Sequence, residues 1–180
     1  MSVLEFSQIL PQLAVGSKPP GGMAVRRAGF DVLVLTAAEV QPPDAYYPGV
    51  AVGRLLLNDD GSAPTALDFS DAEDMAKLVE NAVRQGQSVL VTCVEGRNRS
   101  TLVATLAFRR LMGASGKDAV AWVKSQRPKN PLTHGPTFTN AWFRQYLLAK
   151  PARIPRNPPR PAARPTSARR RGPLRWQDLP

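Results

Sequence analysis

The residues with the clearest chemical potential lie in the stretch "VLVTCVEGRNRS" (89–100), which holds the chain's single cysteine. Val94, Glu95, Gly96, Arg97 and Asn98 separate Cys93 from Arg99, and Ser100 follows. A loop that short, between an apolar run and a helix start, can curl its backbone N–H groups toward one point and form an anion nest at the positive end of the helix. Gly96 permits the tight curvature. The same field favours a thiolate over a thiol and so a nucleophilic sulfur. Arg99 offers a planar guanidinium able to bind two oxygens of a phosphoryl group at once, which a lysine could not do. Ser100 could donate to the sulfur when it departs as a leaving group; taken alone it would read as an ordinary helix N-cap. Taken alone, Cys93 would read as a small buried thiol. The surrounding loop favours attack on phosphorus, with residues 94–99 as the phosphate-binding segment and Cys93, Arg99 and Ser100 as catalytic candidates.

Displacement at phosphorus also needs a group that protonates the departing oxygen and later takes a proton from water. "LLLNDDGSAP" (55–64) supplies Asp59 and Asp60 at the end of an expected strand, next to Gly61 and Ser62. The competing reading of this pair is a solvated turn with an Asx hydrogen bond.

Positioning these groups falls to a pattern in which strand and helix signals alternate. "VLVLTA" (32–37) and "VLVTC" (89–93) are short β-branched runs suited to strands buried on both faces. "AVGRLLL" (51–57) and the shorter "QLAVGS" (12–17) are further strand candidates. Leu67, Ala72, Met75, Val79, Ala82 and Val83 fall at helical spacing, closed by Gly86, and a second helix should run from the cysteine loop to Gly113. Helices are also expected at 117–125 and 136–148, the latter with Phe138, Trp142 and Tyr146 four apart on a core-facing stripe. The predicted class is α/β, with a central, mostly parallel sheet flanked by helices.

The chain has 180 residues and a net charge of +10. Residues 151–180 carry eight Arg, eight Pro and one acidic residue, Asp178, so +7 belongs to this segment and only +3 to residues 1–150. We expect a folded domain over 1–150 and a disordered Pro/Arg-rich tail over 151–180. That tail could engage an anionic polymer, a membrane surface or a proline-recognising domain, or simply solubilise the chain. No apolar run approaches the ~20 residues of a transmembrane helix. One cysteine and one histidine cannot form an internal disulfide or a Cys/His zinc site. The expectation is a cytoplasmic monomer with neither metal nor cofactor, nuclear location remaining open in a eukaryotic cell.

Cys93 through Ser100 resembles the C-x5-R-[S/T] phosphate loop of cysteine-dependent protein tyrosine phosphatases, and most closely that of the compact dual-specificity branch. The resemblance extends over residues 7–148, through "ILPQLAVGS", "AGFDVLVLTA", "KDAVAWVKSQRP" and "FTNAWFRQYL". It implies a cysteinyl-phosphate mechanism acting on phosphotyrosine and phosphoserine/threonine. It also places the general acid in the 55–64 loop, where Asp59 is preferred and Asp60 is the alternative. The main departure is Thr92, where the family usually has histidine; its hydroxyl could join the same hydrogen-bond network but brings no imidazole. His134 is expected in a surface loop. Arg97 could attract a second phosphate, as in relatives acting on phosphoinositides, and Asn98 resembles relatives acting on RNA 5′-triphosphates. A non-catalytic phosphate-binding module and a rhodanese-like sulfur transferase are the competing functions. An arsenate-reductase role is disfavoured by the absence of a resolving cysteine.

Overall fold

A computed structural model describes residues 4–152. The tail, from residue 153 on, lies outside the described residues. Five strands form one sheet: β1 (Phe6–Leu10), β2 (Leu13–Gly16), β3 (Val32–Leu35), β4 (Ala51–Arg54) and β5 (Val89–Thr92), in the order β1-β2-β5-β3-β4. Only β1 and β2 pair antiparallel; the others run parallel, with β5 between β2 and β3. The strand carrying Cys93 at its carboxyl end is thus central, and in open parallel sheets that edge is where ligands bind.

Continuous apolar runs occur because the sheet is covered on both sides. Val32, Val34, Val89 and Val91 join a large core cluster on one face, whereas Leu33, Leu35 and Leu90 pack with Val25, Phe30 and Tyr47 on the other. The larger layer is built by α2 (Ala66–Arg84), α3 (Arg99–Met112), α4 (Gly116–Gln126) and α5 (Ala141–Leu148); α1 (Ala24–Arg27) belongs to the smaller. Local sequence sets the helix limits. Thr65 and Asp68 form a reciprocal capping box at the start of α2, and Gly113 ends α3 with φ of 69°, a conformation cheap only for glycine.

Several boundaries differ from the expectation. β3 and β4 stop at Leu35 and Arg54, after which an isolated antiparallel bridge joins Ala37 and Leu56. The segment before β2 folds back as the separate strand β1. The helix expected over 136–148 begins only at Ala141, because Phe138 adopts φ of 59° and Asn140 caps the first turn through Phe143 N. Phe138 is buried outside the helix and Trp142 is exposed; Phe143 and Leu147 make the buried face of α5. Tyr146 instead stacks on Phe69 at 3.9 Å.

Leu102, fully buried where α3 meets the core, tests this packing. Leu102→Ala should cost about 2–5 kcal/mol through lost transfer energy and residual cavity, read as a lower urea midpoint at unchanged slope. Among the described residues no helix is long and apolar enough to cross a membrane.

Candidate active site

Cys93 follows β5 directly and is 3% exposed. Gly96 N donates to its Sγ at 3.1 Å, and the buried Ser100 hydroxyl donates to it at 3.3 Å. Ser100 lies within the first turn of α3, whose N-cap is Asn98, so the serine hydroxyl serves the sulfur and not a cap. Gly96 has φ of 65°, and a Cβ there would meet the Gly16 carbonyl oxygen at 2.6 Å. Its substitution would therefore combine backbone strain with a clash.

The loop's carbonyls are held by the protein in unbroken succession. Val94 O accepts from Lys18 N (3.0 Å), Glu95 O from Asn130 Nδ2 (2.5 Å) and Arg127 Nη2 (3.4 Å), and Gly96 O from Arg127 Nε (2.7 Å). Arg97 O accepts from Phe138 N (2.9 Å) and Asn98 O from Leu102 N (2.8 Å). The carbonyl and N–H of a trans peptide point to opposite sides. Holding the carbonyls in this way leaves the following N–H groups, from Glu95 to Arg99, on the side away from those partners.

Arg127 is the fixed point of this arrangement. It is fully buried, and besides the two loop carbonyls it meets Glu5 through Nη1–Oε1 (2.6 Å) and Nη2–Oε2 (2.9 Å). Burial pushes the Glu5 carboxyl up, but bonds from Arg127 and Ser17 outweigh it and hold Glu5 below its ordinary value.

Arg99 starts α3 and presents its guanidinium beside the loop. Its Nη1 donates to Glu39 Oε1 (2.5 Å) and Leu57 O (3.4 Å). Arg99 Nε is buried without a hydrogen-bond partner. A buried donor in that state costs about 1–3 kcal/mol until an acceptor arrives, which an anion's oxygen would provide.

Asp59 lines the same pocket as Cys93, Val94, Glu95, Arg97, Asn98 and Arg99, a space of about 290 Å³. That is small for a ligand pocket and suits a phosphoryl group with the first atoms of what it esterifies. Two amides grip Asp59: Asn140 Nδ2 donates to Oδ1 at 2.8 Å, and Asn98 Nδ2 lies 3.2 Å from Oδ2. Asn98 is in turn oriented by Thr139 Oγ1 and Asn140 N, each 3.1 Å from its Oδ1. Asp60 is fully exposed, and hydrogen bonding from Ser62 holds its carboxyl down to about 2. Asp60 does not line the pocket that holds Cys93, and Ser62 N fixes its carboxylate in the neighbouring turn.

The remaining residues fall as follows. Arg97 donates to Pro136 O (2.9 Å) and Glu95 Oε2 (2.7 Å), so its guanidinium is engaged by the loop at 136 and by Glu95. His134 is exposed in that loop. Thr92 is buried beneath the cysteine. Sequence reasoning missed Glu5, Glu39, Gln41, Arg127, Asn130 and Asn140. Among the described residues no three His, Cys, Asp or Glu side chains gather as a metal site.

No family model matches the chain. Mouse dual specificity phosphatase 28 (Mus musculus), however, is 34% identical over 155 residues, spanning 85% of this chain and 91% of the relative. The chain belongs to the dual-specificity phosphatase family. Human dual specificity phosphatase 28 (Homo sapiens) is likewise 34% identical over 121 residues, 67% of each chain. The crystal structure of a mouse putative dual specificity phosphatase complexed with zinc tungstate superposes with a TM-score of 0.63 at 32% identity, covering 79% of this chain and 86% of that one. Membership places the protein among phosphoric monoester hydrolases of the cysteine-dependent tyrosine phosphatase superfamily. The mostly parallel five-stranded sheet with flanking helices is this family's fold.

Proposed function

We propose that this protein hydrolyses phosphotyrosine and phosphoserine/threonine monoesters in proteins through a cysteinyl-phosphate. The observation that carries the reading is one small pocket holding Cys93, Arg99 and Asp59, with Ser100 and Gly96 both donating to the sulfur. Sγ attacks phosphorus in line while the bond to the leaving oxygen breaks and Asp59 gives that oxygen its proton. Arg99 and the loop amides hold the equatorial oxygens, a positioning and electrostatic role. Water then attacks phosphorus, Asp59 takes its proton, and the S–P electron pair returns to a sulfur that Ser100 stabilises.

Protein monoesters are favoured over phosphoinositides and RNA 5′-triphosphates because Arg97, the cation a second phosphate would need, is bound to Glu95 and Pro136. The mouse putative dual specificity phosphatase crystallised with zinc tungstate, whose anion is tetrahedral like phosphate, which supports reading the pocket as a phosphoryl site.

A chelator-treated substrate panel of phosphotyrosine and phosphothreonine peptides, phosphoinositide and RNA 5′-triphosphate tests the proposal. Asp59→Asn should lower kcat on phosphoserine peptide by about 10²–10³-fold, and less on an aryl phosphate whose leaving group needs no proton. Asp60→Asn should stay within about twofold of wild type, its carboxylate being outside the proton path. Equal losses in the two variants would reject the assignment of Asp59, and absence of turnover in wild type would favour a phosphate-binding module.

A further inference from the structure

Thr92 raises the question of what organises the cysteine loop from beneath. It is fully buried, and its Oγ1 donates to Val34 O (3.1 Å) while accepting from Gln41 Nε2 (3.0 Å). The same Gln41 nitrogen lies 3.4 Å from Cys93 O. Gln41 is itself 5% exposed, and its Oε1 accepts from Ala37 N at 2.9 Å. Thr92 O is taken by Thr36 Oγ1 (2.9 Å) and Thr36 N (2.8 Å). Every polar atom of the Gln41 and Thr92 side chains therefore has a partner, and neither side chain titrates in the working range of a protein.

We infer that Gln41 and Thr92 form a positioning pair that aims the Cys93 loop, a neutral device in place of an imidazole. This rests on the reading of Cys93 as nucleophile. Gln41 has two N–H groups, which allows one for Thr92 Oγ1 and one for Cys93 O. Anchoring the Cys93 carbonyl fixes the plane of the Cys93–Val94 peptide, and so turns Val94 N–H, the first amide of the loop, to the opposite side. The glutamine comes from the segment after β3 and thus ties the nucleophile strand to its neighbour. Neither member of the pair adds a titratable group beneath the nucleophile.

Gln41→Glu keeps an acceptor for Ala37 N and loses the amide donors, but it also puts a carboxyl group beside Thr92 Oγ1 and Cys93 O, so it is the charged contrast to a neutral deletion. Gln41→Met removes the polar atoms at similar volume. Thr92→Val deletes the hydroxyl isosterically, and Thr92→Ser retains it. Iodoacetamide alkylation of Cys93 across pH, run on the full chain, reports the sulfur without requiring turnover. The two Gln41 variants and Thr92→Val should move the alkylation midpoint upward and lower kcat for an aryl phosphate by about 10–100-fold, as loss of aim predicts. Thr92→Ser should restore the wild-type profile. Wild-type alkylation profiles in Gln41→Met and Thr92→Val would overturn the inference. If the Gln41 variants do not fold, the Thr92→Val and Thr92→Ser comparison decides alone. Wild-type protein that alkylates normally but turns nothing over would reject the phosphatase reading and still leave the profiles to judge Gln41.

Discussion

Cys93→Ser is expected to abolish turnover, by about 10⁴-fold or more, while leaving oxyanion binding intact. The two effects separate because different atoms carry them. In the proposed mechanism binding relies on Arg99 and on loop amides whose direction is set by carbonyls held elsewhere, at Lys18, Arg127, Asn130, Phe138 and Leu102. None of those contacts involves the sulfur. Turnover requires a polarizable anion at position 93, and a serine hydroxyl near neutrality is almost entirely protonated, with no base among the described contacts of Sγ to take its proton. Both hydrogen-bond partners of Sγ, Gly96 N and Ser100 Oγ, are placed as donors to it. Such a setting rewards a thiolate and does nothing to activate a hydroxyl. Isothermal titration with tungstate should therefore give Cys93→Ser an affinity within about tenfold of wild type, alongside no measurable release of inorganic phosphate. Turnover at an unchanged rate would remove Cys93 from the reaction.

The arrangement around Cys93 was legible because it is written in consecutive residues. Cysteine, glycine, arginine and serine at fixed spacing describe a local curve, and a local curve needs no knowledge of the rest of the fold. The β-branched runs were legible for the related reason that strands covered on both faces leave uninterrupted apolar stretches. What stayed hidden was long-range. Arg127 is 31 positions from the Gly96 carbonyl it holds and 122 from Glu5. A lysine- or arginine-rich helix end normally marks solvent, so nothing near "KSQRP" announces a buried guanidinium. Asn140 presents as a helix cap, which it is, while the same amide also reaches Asp59 through its Nδ2. The helix over 136–148 was misjudged because the period-four aromatics suggested a stripe, whereas Phe138 is buried from a left-handed backbone position before the helix starts. Asp59 and Asp60 could not be separated by composition at all. They part only when the turn at Ser62 claims one and the two asparagine amides claim the other.

Arg127→Met should be the most damaging substitution outside the pocket, costing about 3–5 kcal/mol of stability as a broken buried ion pair and lowering kcat/KM by more than about 100-fold through a misplaced loop. Methionine fills much of the volume but takes the donor from the Gly96 carbonyl, leaves Glu95 O to Asn130 alone and removes the guanidinium from the Glu5 carboxylate. The pH dependence distinguishes this from generic core damage. In wild type the bonds from Arg127 and Ser17 keep Glu5 below its unfolded value, so its contribution to stability is present above that value and is lost as pH falls through the lowered folded one. In Arg127→Met burial is opposed by the Ser17 N–H alone, and the carboxyl should rise above its unfolded value. Its ionised form then penalises the folded state near neutrality, and protonation relieves that penalty. Urea midpoints measured from pH about 7 down to about 2 should accordingly fall for wild type once pH drops below the ordinary carboxylate value, and converge with, or cross, those of Arg127→Met. Parallel pH curves for the two proteins would show that Glu5 does not depend on Arg127 and that the loop is held from somewhere else.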